Sequence, residues 1–322
     1  MAGAPRTVGE LGEFDVIDAI VRKLPAGEGV LLGPGDDAAV VAAPDSRVVV
    51  TTDLLVEGRH FRRDWSEPYD VGRKAAAQSL ADVAAMGAVP TGVLVGLAAP
   101  GNLPVDWATS LADGLRDESA AAGATVVGGD LVRSETLTVA VTSLGSLQGR
   151  EPVTRAGAGA GDVVAVTGRL GWAAAGFAVL SRGFRSPRVL VEAHRRPSPP
   201  YEQGPLAAVL GATAMIDVSD GLVQDLGHIA AASGVLIDLA SGVFEVPEVF
   251  QDTARALSAD PLTWLLAGGD DHALAACFPA EATPPEGWQV VGRVSATEDA
   301  SAGVVHVDGS PYDGPGGWQA FS

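Results

Sequence analysis

One cysteine, Cys277, stands in a chain of 322 residues. A single thiol excludes a disulfide framework within the chain and any metal site built on cysteine pairs. Lysine is nearly as scarce: only Lys23 and Lys74 occur, and every other basic residue is Arg or His, a bias of base composition rather than of function. Positive charge is in deficit overall, with 21 Lys and Arg against 40 Asp and Glu and a net charge of −19. Such a field repels bare polyanions and anionic membranes, so neither nucleic acid nor a lipid surface is an expected partner. No long apolar run is present. The longest uncharged stretch, Val83 to Val105, is broken by Pro90, Pro100 and Pro104. It reads as helix end, turn and strand rather than a spanning helix. Residues 1–21 already carry Arg6, Glu10, Glu13 and Asp15, so no leader-type apolar segment opens the chain. A cytoplasmic, reduced, soluble protein is the expectation.

What is present is a large apolar fraction, 47%, enough to fill the cores of two domains of about 150 residues each. Val48 to Leu55 reads as a buried strand. Asp70 to Met86 reads as a helix ending at Gly87, with Lys74, Gln78 and Asp82 on one polar face. Thr91 to Ala98 reads as a strand and Pro104 to Ala122 as a helix. Ala124 to Val127 and Thr136 to Leu144 read as strands around a Gly-Gly-Asp loop. A pure Gly/Ala segment, Ala156 to Gly161, follows, and the domain boundary is placed near Ser146 to Gly161, giving domains 1–148 and 149–322. Beyond it come a strand at Asp162 to Thr167, a helix at Gly171 to Leu180 and a Pro-rich break at Arg195 to Pro200. Another helix is expected to be N-capped by Ser219 and closed at Gly234. Strands alternate with helices in both halves, so the class is α/β or α+β.

The acids sit at unusual places. Asp36 and Asp37 follow Gly33-Pro34-Gly35, and Asp53 closes a strand. Asp82 lies inside an apolar helix and Asp130 follows Gly128-Gly129. Asp217 and Asp220 flank Ser219, and Asp270 and Asp271 follow Gly268-Gly269. Acids that serve only solubility would be scattered over helix faces; each of these alone would pass as a turn former or cap. If such carboxylates converge, two of them about 4 Å apart repel by about 4 kcal/mol at an effective dielectric near 20, and cations must be present. Oxygen ligands on Gly turns suit Mg²⁺, while five scattered histidines and one cysteine argue against soft metals. The Gly157, Gly159, Gly161 run precedes its strand instead of following it, so it is no dinucleotide fingerprint, and no P-loop is present.

Six ordered blocks are more specific than their parts. Gly33 to Ala39, Thr51 to Phe61, Ser79 to Ala88, Gly128 to Asp130, Asp217 to Leu222 and Gly268 to Asp271 together resemble the thiamine-monophosphate kinase family, a branch of the aminoimidazole-ribotide-synthetase-like superfamily. The resemblance implies a two-domain α/β fold. An N-terminal ATP- and Mg²⁺-binding domain pairs into a dimeric β-barrel, and a C-terminal domain completes the substrate site. It implies transfer of a phosphoryl group from the co-substrate ATP to thiamine monophosphate, several Mg²⁺ ions, a homodimer, and room for a monovalent cation. By position, Asp37, Thr51, Thr52, Asp53, Asp82, Asp130, Asp217 and Asp220 match the family's metal ligands. Gly129, Asp130, Arg155 and Ser219 match nucleotide contacts, and His60, Asp270 and Trp318 match substrate contacts. Each of His60, Arg155 and Trp318 has a structural alternative: a core histidine, a linker ion pair and an anchor for the C-terminus. One segment departs from the pattern. The family usually has Gly-Gly-Glu-Asp-Tyr-Glu-Leu where this chain has Gly-Gly-Asp-Asp-His-Ala-Leu, Gly268 to Leu274.

Overall fold

The computed structural model describes residues 7–25, 27–33, 39–296 and 303–317. Asp37 and Trp318, both singled out above, lie outside the described residues. The chain divides into two compact units, one of Met1–Val83 and Val89–Gly149, the other of Ala84–Ala88 and Arg150–Ser322.

The first unit begins with helices α1 (Val8–Leu11) and α2 (Glu13–Val21) and a small hairpin of β1 (Val30–Leu32) and β2 (Val40–Val41). Then come β3 (Val49–Val56), α3 (Pro68–Ala85), β4 (Val89–Ala99), α4 (Val105–Ala121), β5 (Thr125–Arg133) and β6 (Thr138–Ser146). The four long strands form one sheet in the order β3-β6-β4-β5, antiparallel except for the β4–β5 pair. A parallel pair needs a crossover, and α4 supplies it. Strand alternation divides the residues of this sheet between two faces. Leu55, Val93, Val139 and Val141 are buried together with Ala76 and Leu80 of α3. On the other face Val50 is 61% exposed and Leu54 is 52% exposed, with Leu94 and Val132 also in solvent. The sheet is open, with β3 and β5 as its edges, and no closed barrel occurs among the described residues.

The Gly128-Gly129-Asp130 segment, expected as a loop, lies inside β5. Its partner strand explains this. Val95 pairs with Gly129 and Gly96 with Asp130, next to a register shift at Val93/Leu94. A Cβ at Gly129 would sit 2.1 Å from the Val95 carbonyl oxygen, so a glycine lets the strand continue where a side chain would end it.

The second unit holds β7 (Val163–Thr167), α5 (Trp172–Ser181), α6 (Arg188–Arg195), α7 (Gln203–Val209), β8 (Ala214–Val218) and α8 (Leu222–Ser233). It continues with β9 (Val235–Leu239), α9 (Glu248–Leu257), α10 (Pro261–Ala267), β10 (Ala273–Phe278), β11 (Gln289–Ala296), β12 (Val305–Val307) and β13 (Ser310–Pro311). Its seven strands run in the order β13-β12-β9-β11-β7-β10-β8, antiparallel except for β12 with β9. Every residue of β10 is buried, as its unbroken apolar run requires. Leu222, Leu226 and Ile229 form the buried stripe of α8, each worth about 2 kcal/mol of apolar burial. Phe250 packs edge-on against both Trp172 and Trp264, tying α9 to α5 and α10. The expected cap of α8 is corrected: the helix starts at Leu222 with Gly221 at its N-cap, two residues beyond Ser219. The side chain of Asp225, inside the first turn, takes the N–H groups of Asp220 and Gly221 at 3.0 Å each, which leaves Ser219 outside the capping geometry.

Candidate active site

In the first unit, β3 and α3 build one polar cluster. Thr51 and Asp53 are two residues apart on β3 and so share a face. Across from them, Gln78 and Asp82 are one helical turn apart on α3. The Thr51 hydroxyl donates to Asp82 Oδ2 at 2.7 Å, and the Gln78 amide donates to Asp53 Oδ1 at 3.0 Å. Asp53 Oδ2 is buried with no hydrogen-bond partner. An orphaned carboxylate oxygen of this kind favours a cation, and the donor set beside it, carboxylates and a hydroxyl, has the hard-oxygen chemistry of Mg²⁺. The residues therefore fit a divalent ion at Asp53. Among the described residues, however, no three His, Cys, Asp or Glu side chains are drawn together into a metal-holding group.

The remaining first-unit candidates are more dispersed. The Thr52 hydroxyl lies on the opposite face of β3, where it donates to the Val141 carbonyl and accepts from Thr142. Asp130 and Gly129 are exposed, and Asp130 Oδ1 accepts the N–H of Leu131. The Val56 N–H donates to His60 Nδ1 at 3.0 Å. With Nδ1 accepting, the proton of the neutral ring sits on Nε2.

In the second unit, the Gly268–His272 loop is fastened to the end of β8. Asp270 N–H donates to the Ser219 carbonyl at 2.7 Å and His272 N–H to the Val218 carbonyl at 3.1 Å. Both Asp270 (φ 71°) and His272 (φ 55°) are left-handed without being glycine, a strain of about 1–3 kcal/mol each that is typical of functional loops. The register Ala273↔Val218 brings His272 diagonally onto Asp217, with Nδ1 3.0 Å from Oδ2. Burial by itself would lower the pKa of His272. The bond to Asp217 and the nearby Asp270 outweigh it and push the value up to about 10. Asp271 points the other way, its Oδ1 accepting the Ala173 N–H at the start of α5, and burial pushes its carboxyl up to about 7. Burial also raises Asp225 to about 7 and raises Asp220, whose Oδ2 accepts from the Gln224 amide. Arg155 is exposed, with its backbone carbonyl held by the Ser233 hydroxyl.

Three residues outside the expected set take part in this geometry. Gln78 was legible as part of the polar face of α3, but its target is Asp53. Asp225 and His194 gave less signal. His194 lies on α6, between Pro187 and Pro197, where the helical spacing of Leu190, Val191 and His194 was the available cue.

Residues 35–147 match the family model of AIR synthase related protein, N-terminal domain. The first unit is thus that of an AIR-synthase-related protein. Over 316 residues the chain is 51% identical to thiamine-monophosphate kinase of Mycobacterium tuberculosis (strain CDC 1551 / Oshkosh), covering 98% of this chain and 93% of that one. It is 40% identical over 324 residues to thiamine-monophosphate kinase of Corynebacterium glutamicum, covering 98% and 95%. Among solved structures it resembles AaThiL complexed with AMPPCP and TMP, with a TM-score of 0.78, 32% identity and coverage of 99% and 100%. The chain belongs to the thiamine-monophosphate kinase family.

Proposed function

We propose that this protein transfers the γ-phosphoryl group of ATP to thiamine monophosphate, giving ADP and thiamine diphosphate. The observation that carries the reading is the end-to-end likeness to AaThiL, which is complexed with AMPPCP, an ATP analogue that resists transfer, and with TMP, read here as thiamine monophosphate.

The chemistry suits the side chains present. The acceptor is a phosphate monoester whose second pKa is about 6, so it is dianionic at pH 7 and needs no general base. What remains for the protein is alignment and charge neutralisation. In this reading Asp37, Thr51, Thr52 (through its main chain, its hydroxyl being turned to the opposite face of β3), Asp53, Asp82, Asp130, Asp217 and Asp220 would hold Mg²⁺, which would supply charge neutralisation to the phosphates. Gly129, Asp130, Arg155 and Ser219 contact the nucleotide, with Arg155 as a bidentate phosphate clamp. His60 donates from Nε2 to the acceptor, and Asp270 and Trp318 contact its thiamine end.

The exposed apolar face of the first unit's sheet, with Val50, Leu54, Leu94 and Val132, supports pairing of two copies into a closed barrel, and so a homodimer. Among the described residues no helix is long and apolar enough to cross a membrane, and the enzyme is proposed to work in the cytoplasm. Asp53→Ala tests the metal role directly. Turnover is expected to vanish while the thermal midpoint stays near wild type; activity near wild type would refute the assignment.

A further inference from the structure

Asp270 is the residue of the Asp270-Asp271-His272 run that meets solvent, with a side chain 35% exposed, while Asp271 and His272 are buried. Two imidazoles from different elements stand on either side of it. His272 Nε2 lies 3.8 Å from Oδ1 and His194 Nδ1, on α6, lies 3.9 Å from Oδ2. Both distances are beyond a hydrogen bond and within ion-pair range, so each oxygen of the carboxylate faces its own ring. His194 is no surface residue that happens to be near: its side chain is 10% exposed. It is carried inward by the contact of α6 with α5 at Gly176. A Cβ at Gly176 would lie 2.1 Å from the Leu190 carbonyl oxygen and 2.8 Å from His194 Cβ. Only a residue without a side chain lets the two helices meet there.

The ring of Phe177, the next residue on α5, lies over His194 with centroids 5.8 Å apart and planes tilted by 51°. Phe177 itself is 52% exposed. A large aromatic face left in water near a partly exposed carboxylate is a poor place for a phosphate, which the carboxylate repels. It suits a flat heterocycle that carries positive charge or donates hydrogen bonds. The same geometry bears on the departure at Gly268 to Leu274. Asp270 is one methylene shorter than the glutamate usual there, so its oxygens stay close to the loop, where the two imidazoles bracket them.

We propose that His194 is a positioning residue for Asp270, and that Phe177 adds an aromatic face beside that carboxylate at the heterocyclic end of the acceptor. The inference rests on the proposed function, which places Asp270 at the substrate. His194 sets the direction of the carboxylate and Phe177 provides the face on which the ring lies.

Two substitutions with opposite losses test it. His194→Phe keeps an aromatic ring packed under Phe177 and removes the nitrogen. His194→Gln removes the ring and keeps a polar group able to reach Asp270. His194→Phe is expected to raise KM for thiamine monophosphate at least tenfold, with kcat and KM for ATP within twofold of wild type. His194→Gln is expected to retain most of the affinity, with KM raised no more than threefold. In an Asp270→Asn background, His194→Phe should weaken calorimetric binding of thiamine monophosphate no further, because the residue acts through the carboxylate. The reverse order, with His194→Gln impaired and His194→Phe near wild type, would mean packing alone and would overturn the proposal; so would losses that multiply in the double variant. If His194→Phe does not fold, Phe177→Leu at the exposed position decides: KM for the acceptor rises severalfold at an unchanged thermal midpoint, or the proposal fails. A wild-type enzyme that binds AMPPCP yet releases no ADP in response to thiamine monophosphate refutes the proposed function and this inference together. An active wild type with unshifted His194→Phe refutes the inference alone.

Discussion

His272 Nδ1 lies 3.0 Å from Asp217 Oδ2, with both side chains buried. The contact joins the loop after α10 to the last turn of the β8 ladder, and its ring is held charged well above neutral pH. Removing one member of a buried ion pair strands the other, at a cost of about 3–5 kcal/mol. His272→Phe is therefore expected to lower the thermal midpoint of the protein clearly, and His272→Gln, which can still donate to Asp217, to lower it less. Equal midpoints for the two variants would show that the pair contributes shape rather than charge.

Asp271 gives a pH dependence with a definite sign. Its carboxyl titrates near 7 in the folded protein against an ordinary 3.8. Between about pH 4 and 7 the folded state holds a proton that the unfolded chain has lost. Stability therefore falls as pH rises through that window, and the full cost, up to about 4 kcal/mol, persists above it. Asp271→Asn cannot ionise. Urea midpoints of wild type and Asp271→Asn at pH 5 and pH 8 should diverge, with wild type losing ground to the variant at pH 8. Parallel midpoints at both pH values would refute the raised carboxyl.

Gln78 is expected to tune magnesium binding without touching the ion. Its amide fixes Asp53 Oδ1 at 3.0 Å and so directs the unpartnered Oδ2. Outer partners of this kind are worth about 10–100-fold in metal affinity. Gln78→Leu should weaken Mg²⁺ binding, measured by calorimetry in the presence of AMPPCP, by a factor in that range, with the fold intact. Unchanged Mg²⁺ affinity would show that Asp53 needs no orientation from α3.

Much of this was legible in the chain itself because burial leaves a period. The β-branched run before Asp53 and the apolar helix around Asp82 marked β3 and α3, although Asp53 lies inside β3 rather than closing it and one face of that strand is exposed rather than buried; two hydrogen bonds between those elements join four of their polar residues. Local signals failed where a tertiary contact decides. Gly128 and Gly129 carry turn chemistry, yet parallel pairing with β4 draws them into β5. Ser219 carries cap chemistry, yet Asp225 captures the free N–H groups from inside the helix. His194 is 76 residues from Asp270, and no spacing rule could bring them together; the close approach of α5 and α6 at Gly176 does.

The most direct test of the whole account is ADP release from Mg-ATP with and without thiamine monophosphate, with the thiamine product identified by chromatography. The account predicts ADP that appears only with the acceptor and is matched mole for mole by thiamine diphosphate. A folded protein that binds AMPPCP and makes no thiamine diphosphate would contradict it.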